Sequence, residues 1–360
     1  MKQRLVIHIG IEKTGTTSLQ DYLYLNEAVL ASHGIGLLHS VGKPNNRLLA
    51  RYADPRDKHK VPPAWGGEAL PNGVSWREVL FRRVQEEVCA LPLSTHTVVV
   101  SSEHLHSRLR SEDDVRCLAE LFDGLFERVD VVVYLRRQDR LAVSLYSTAL
   151  RVGWATGDVL PKLDPQHSHY YNFSQLLDRW ARVFGEDRMT VRVFDRARFV
   201  GGDLYTDFLH ACRWPELREK MAVPPPQNEA LSATGAAALL ALNRALASFI
   251  EAGELHVGQR LRCAMAESLT QRYPGGGVTI TRAEAEAFLA GFSSSNSEVC
   301  QRWFGGEAIF DDSFANYPEM QAGVSFPAEV LTTVAETVVQ YIKTVEAKKR
   351  PPVPRPESLR

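Results

Sequence analysis

His8-Ile9-Gly10-Ile11-Glu12-Lys13-Thr14-Gly15-Thr16-Thr17-Ser18-Leu19-Gln20 follows directly on the apolar run Leu5-Val6-Ile7. An apolar run that closes on glycine and then on threonine and serine predicts a buried strand, a tight loop and the start of a helix. Gly10 and Gly15 let the loop curl. The first amides of the following helix have no carbonyl of their own, and such a helix start attracts anions. Thr14, Thr16, Thr17 and Ser18 add hydroxyls around the same point, and Lys13 brings a mobile positive charge to an oxygen that gains charge during a group transfer. A Gly/Thr-rich turn by itself reads as an ordinary capped helix. The lysine between the glycines turns the reading toward a phosphate-like anion.

The nucleotide P-loop requires Gly, four residues, then Gly-Lys-[Ser/Thr]. Gly10 and Gly15 keep that spacing, but Thr16 stands where the lysine belongs and Lys13 has moved ahead of the second glycine. In this form, Lys-Thr-Gly-Thr-Thr resembles the 5′-phosphosulfate loop of sulfotransferases that use 3′-phosphoadenosine 5′-phosphosulfate (PAPS), and the longer string is similar to their bacterial branch. The resemblance covers roughly residues 4 to 212. It implies PAPS as sulfuryl donor, 3′,5′-diphosphoadenosine (PAP) as product, a hydroxyl acceptor and no metal. Lys13, Thr14, Gly15, Thr16, Thr17 and Ser18 would grip the 5′ end.

A second segment, Val129-Asp130-Val131-Val132-Val133-Tyr134-Leu135, is β-branched enough for a buried parallel strand and ends in Arg136-Arg137-Gln138-Asp139-Arg140. In an open α/β sheet the carboxyl ends of the strands are where ligands bind. Helical pattern resumes at Leu141, so Ser144 lies about two turns beyond Arg136. Arg136 followed by Ser144 resembles the family's 3′-phosphate pair, a forked cation with a short donor. The further arginine of the family's pattern is displaced, with Leu141 at its place and Arg140 one position early. No role is therefore given to Arg137 or Arg140.

Thr97-Val98-Val99-Val100-Ser101-Ser102-Glu103-His104-Leu105-His106 is again a short apolar run that ends in titratable residues. Sulfuryl transfer to an alcohol needs a base in reach of the attacking hydroxyl. The Ser-Ser-Glu ending resembles that of glycan sulfotransferases and their bacterial relatives, which makes Glu103 the first choice for the base and His104 the reserve. His106 receives no role. Farther on, apolar residues at 173, 176, 177, 180 and 184 predict an amphipathic helix closed by Gly185, followed by a strand to Phe194, whose ring is placed against adenine by the same resemblance.

The expected architecture is a three-layer, P-loop-like α/β fold with a central parallel sheet flanked by helices, plus a helical C-terminal extension. Strands are expected near 3–9, 97–102, 129–135 and 188–194, and helices near 16–31, 75–90, 111–127, 140–152, 171–184, 231–252, 281–292 and 327–347. Residues 1–222 form the donor-binding core, with an irregular, proline-rich loop at 40–74. Residues 223–348 form the helical extension, taken as part of the same domain and lining the acceptor site, and 349–360 a flexible tail. Net charge −1 argues against bulk nucleic-acid binding. The cysteines are odd in number and lack a Cys-x-x-Cys pair, which favours free buried thiols and a cytoplasmic location. No run is long enough for a membrane helix. The acceptor is expected to be a small-molecule or glycan hydroxyl, with Trp65, Trp76, Tyr170 and Tyr171 as aromatics that could stack on sugars. Oligomeric state is not readable. Two other classes stay open: a small-molecule kinase using ATP and Mg²⁺, and a non-catalytic nucleotide-binding protein of the same fold.

Overall fold

Leu5, Val6, Ile7 and Ile9 are wholly buried in β1 (Lys2–Ile9), the middle strand of the sheet. The structure is a computed structural model and describes residues 1–57, 61, 70, 73–162, 168–225, 231–251, 258–320 and 328–349. After β1 come α1 (Thr16–Leu25), α2 (Glu27–Ser32), β2 (Ile35–Leu37), α3 (Arg47–Ala53), α4 (Trp76–Ala90), β3 (Thr97–Ser102), α5 (His104–Arg108), α6 (Glu112–Glu120) and β4 (Phe126–Leu135). Then follow α7 (Gln138–Arg151), α8 (Ser168–Tyr171), α9 (Phe173–Phe184), β5 (Met189–Val193) and α10 (Leu204–Cys212). The later elements are α11 (Ala233–Glu251), α12 (Gly258–Arg272), α13 (Arg282–Ala290), α14 (Ser293–Trp303) and α15 (Ala328–Lys349). The expected α/β architecture with a central parallel sheet flanked by helices is present.

The sheet has five strands in the order β2-β3-β1-β4-β5, all pairs parallel. Ile9 pairs with Ser102 on one side and Val133 on the other, so β4 runs on to Leu135 past the end of β1 and carries Arg136 beyond it. From β1 the chain goes to the β2 side and from β4 to the β5 side, which leaves a crevice between these neighbours at their carboxyl ends. Both faces are apolar. Val6, Val99, Val132 and Tyr134 pack with α1, α2 and α10 residues such as Leu19, Leu30 and Phe208, while the alternate Leu5, Ile7, Val98, Val100, Val131 and Val133 are equally buried on the other face.

The chain divides into two compact units whose segments interleave: Met1–Leu141, Lys162–Gln227 and Ala287–Ser313 in one, Ala142–Pro161, Asn228–Glu286 and Phe314–Arg360 in the other. The first holds the sheet. The second is helical, with Tyr146 and Leu150 of α7 buried among Leu239, Met265, Leu269 and Val330. Asn243 of α11 donates from Nδ2 to the Leu150 and Trp154 carbonyls (2.8 and 2.9 Å) and accepts from Arg262 Nε at 3.0 Å.

Several boundaries differ from expectation for local reasons. The helix expected over 16–31 breaks at Asn26, whose Nδ2 donates to the Tyr22 and Ala222 carbonyls (2.7 and 2.8 Å) and whose Oδ1 accepts the Ala222 amide at 2.7 Å. The helix expected to 127 ends at Glu120, because β4 already begins at Phe126. The loop expected over 40–74 contains α3. Only part of that loop lies within the described residues, and Trp65 and the tail from 350 lie outside them. The cysteines are free as expected but not all buried: Cys212 is, whereas Cys89 and Cys263 are exposed. Among the described residues no helix is long and apolar enough to cross a membrane.

One buried polar cluster ties β4, β5 and α10 together. Asp207 is fully buried, accepts from Tyr134 Oη at 2.7 Å, from the Val200 amide at 2.9 Å, and pairs with the Arg192 guanidinium. Burial, with the adjacent carboxylate, pushes the Tyr134 phenol far above its usual range. Asp207→Ala strips Arg192 and Tyr134 of their shared partner and is expected to destabilise the protein by about 3–5 kcal/mol, read as a shift in the urea unfolding midpoint at constant slope.

Candidate active site

The loop after β1 is held by its own residues. The Thr14 amide and hydroxyl both donate to the Ile11 carbonyl (3.2 and 2.6 Å), and the Thr16 hydroxyl donates to the same oxygen at 3.2 Å. Thr14 and Thr16 are buried. A hydroxyl has one proton to give, so these two brace the loop from within, while Thr17 is exposed and Ser18 half-buried. Lys13 and Gly15 take left-handed backbone, φ 66° and 71°. The first backbone bond of α1 runs from the Leu19 amide to the Gly15 carbonyl at 3.0 Å, so the amides of Thr16, Thr17 and Ser18 precede any intrahelical acceptor.

The ends of β4 and β5 close on this loop. Arg136 Nη1 donates to the Lys13 carbonyl at 2.5 Å, and its guanidinium lies 5.5 Å from the centre of the Phe194 ring. Phe194 also borders Gly15: a Cβ there would stand 3.3 Å from the ring and 2.5 Å from Leu204 Cδ2. Lys13, Gly15, Arg136 and Phe194, distant in the chain, are therefore neighbours. Arg137 and Arg140 have structural partners. Arg137 is buried, paired with Asp139 at 2.8 Å and bonded to the Asp311 and Ser313 carbonyls; Arg140 pairs with Asp195 and Asp311. Ser144 is half-buried on α7, in the part of that helix assigned to the second unit.

Glu103 sits at the end of β3. Its Oε2 accepts from Gln20 Nε2 at 2.9 Å and its Oε1 from Asn45 Nδ2 at 3.1 Å, with His104 Nε2 3.7 Å from Oε1. Burial holds the His104 imidazole below its usual range; the Glu103 charge opposes this, and the charges of Arg108, Arg47 and Arg51 add to it. His106 is fully buried, its pKa lowered to about 3 by burial, and it packs edge-on to Tyr170. Beneath the loop, His8 is likewise buried, with Nδ1 2.8 Å from Ser101 Oγ and its pKa lowered to about 3.

Gln20, Asn45 and Glu12 join the site without having been assigned a place in it from the motifs, and Tyr170, expected to stack on a sugar, joins it through its hydroxyl. Gln20 follows Thr16 by one helical turn and so shares its inner face. Asn45 stands in a proline-rich run with no periodicity to mark it. Glu12 immediately precedes Lys13, and Tyr170 Oη donates to Glu12 Oε1 at 3.2 Å. Tyr170 thus meets the loop through its hydroxyl, while Trp76 and Tyr171 are core residues, Tyr171 packed on Phe288 and Phe292.

No family model matches the chain. An uncharacterised protein of Archaeoglobus fulgidus is 26% identical over 226 residues, which is 61% of this chain and 58% of that protein. The chain thus spans less than two thirds of that relative. The crystal structure of a sulfotransferase from Alicyclobacillus acidocaldarius aligns over 69% of this chain and 96% of its own, with a TM-score of 0.37 and 15% identity. What the site can do is therefore argued from its own geometry: amide donors and a lysine at one helix start, an arginine and an aromatic ring beside them, and carboxylates at the adjoining strand ends. Among the described residues no group of three or more His, Cys, Asp or Glu is placed to hold a metal ion.

Proposed function

We propose that the chain transfers a sulfuryl group from PAPS to the hydroxyl of a carbohydrate or a glycosylated small molecule. The observation that carries the reading is the convergence of the Lys13 loop with Arg136 and Phe194, a cradle for one phosphate with a second cation and a ring at its rim. The amides of Thr16 to Ser18 and the Thr17 hydroxyl grip the 5′-phosphate. Thr14 and Thr16 keep the loop in shape, and Lys13 stabilises the phosphate oxygen on which charge builds. Arg136 takes the 3′-phosphate. A guanidinium carries five donors, so one bond to the loop is compatible with a forked grip on that group. Ser144 keeps the role that the resemblance of the Arg136–Ser144 pair implies, and Phe194 lies against adenine. Glu103, held by Gln20 and Asn45, draws off the acceptor proton, with His104 in reserve. The acceptor class rests on the resemblance of the Ser101-Ser102-Glu103 strand end to that of glycan sulfotransferases.

Calorimetry and transfer assays test this reading together. PAP is expected to bind far more tightly than ATP–Mg²⁺, and radiolabelled PAPS to label members of a panel of saccharides and glycosylated small molecules. Arg136→Ala should weaken PAP about ten- to hundredfold, the worth of a charge-assisted hydrogen bond, and weaken AMP, which lacks the 3′-phosphate, by much less. A preference for ATP–Mg²⁺ would favour the kinase. PAP binding with no labelled acceptor would favour a nucleotide-binding protein without transfer.

A further inference from the structure

Glu12 has no part in the chemistry above, yet its side chain is engaged by a neighbouring element. Tyr170 Oη of α8 donates to its Oε1 at 3.2 Å, and Ser107 of α5, whose hydroxyl donates to the Glu103 carbonyl at 3.4 Å, also lowers its proton affinity. The charged and titratable groups that act on it are Lys13 beside it, Glu103 at the end of β3, and Tyr170 and Tyr171 of α8. Burial above all, and then the charge of Glu103, holds the Glu12 carboxyl above its usual range, while Tyr170, Ser107 and Lys13 pull the other way. Glu103 is oriented in turn by amide donors from Gln20 and Asn45. Glu12 follows the end of β1 and Glu103 the end of β3, neighbouring strands paired at Ile9 and Ser102 and joined by the Gly10 amide to the Ser102 carbonyl at 3.2 Å, and the charge of Glu103 reaches Glu12.

We propose that Glu12 and Glu103 act as a paired proton acceptor for the acceptor hydroxyl, with Glu12 as the second base. This rests on the sulfuryl-transfer reading. In the step, the acceptor O–H bond breaks as its oxygen bonds to the donor sulfur. The bond from sulfur to the donor's phosphate oxygen breaks, its electron pair stays on that oxygen beside Lys13, and the proton ends on the carboxylate pair. Nearby ionised carboxylates repel, and uptake of a proton by either relieves the repulsion. A base whose proton affinity is raised toward the working pH is also the more effective one.

The full-length chain and its Glu12→Gln, Glu12→Asp, Glu103→Gln and Tyr170→Phe variants provide the test. In an NMR titration with labelled glutamate, Glu12 is expected to titrate above the ordinary carboxylate range, lower in Glu103→Gln and higher in Tyr170→Phe. In turnover of radiolabelled PAPS with the saccharide panel, Glu12→Gln is expected to lose about tenfold in rate near neutral pH, less than the about hundredfold or more of a sole acid–base group because Glu103 remains. Its acid limb moves to lower pH, PAP binding is not weakened, and Glu12→Asp recovers part of the rate. A Glu12 titration indifferent to the loss of Glu103 overturns the pair, as does an active wild type whose acid limb Glu12→Gln leaves in place. No turnover by the wild type sinks the sulfuryl-transfer reading itself, and the pair's role with it.

Discussion

Lys13→Ala is expected to lower sulfuryl transfer by about 10²–10³-fold, or ~3–4 kcal/mol of transition-state stabilisation, with little change in melting temperature. The backbone contribution of this residue survives the substitution. Its carbonyl still accepts Arg136, and alanine at φ 66° carries the same left-handed strain as lysine. What disappears is the ammonium, which in the proposed reaction acts on charge that develops only as the sulfuryl group departs. The rate constant of a single turnover should therefore fall by much more than PAP affinity, measured by calorimetry on the same sample. Equal losses in the two would make Lys13 a binding residue only, and an unchanged rate would remove it from the reaction.

Gly10→Ala is expected to abolish measurable PAP binding, a loss of at least about hundredfold, while costing about 1–3 kcal/mol of stability. A Cβ at Gly10 would stand 2.3 Å from Thr16 Cγ2, 2.7 Å from Thr16 Oγ1 and 3.0 Å from Thr16 Cβ. Rotating the Thr16 side chain clears the first two contacts but breaks its bond to the Ile11 carbonyl, and the third remains. Gly10 cannot retreat, because its amide is tied to the Ser102 carbonyl of β3 at 3.2 Å. The start of α1 must move instead, and with it the amides proposed to receive the anion. Gly15→Ala should be milder, since its closest contact is the end of a flexible leucine. PAP binding by Gly10→Ala at wild-type strength, by calorimetry alongside a thermal melt, would show that this loop is not the donor's cradle.

The strand, loop and helix around Lys13 were legible because their pattern is local: an apolar run, two glycines and a cluster of hydroxyls within a few residues. The same holds for α4 and α6, each opened by a reciprocal cap, Ser75 with Glu78 and Ser111 with Asp114. It does not hold for α3. Asn46 before it takes left-handed backbone at φ 42°, is buried, and accepts the Ser101 amide at 2.8 Å while donating to the Leu38 and Gly42 carbonyls. Nothing in the proline-rich run around it announces those partners. The hydroxyls of the loop show the limit at finer scale. Residue type marked all of them as donors, but only the folded backbone directs Thr14 and Thr16 inward to Ile11.

From residue order came the parallel α/β class and the expectation of an anion at the first loop with Lys13, since periodicity and loop chemistry act over a few residues, and from the resemblance came the candidates Glu103, Arg136 and Phe194. Which of these meet was a matter of tertiary structure. Strand order and register carry Arg136 past the end of β1 onto the Lys13 carbonyl, bring Phe194 against Gly15, and set Glu12 between Tyr170 and the charge of Glu103. Such contacts join residues far apart in the chain, and their hydrogen bonds and burial exist only once the sheet has assembled.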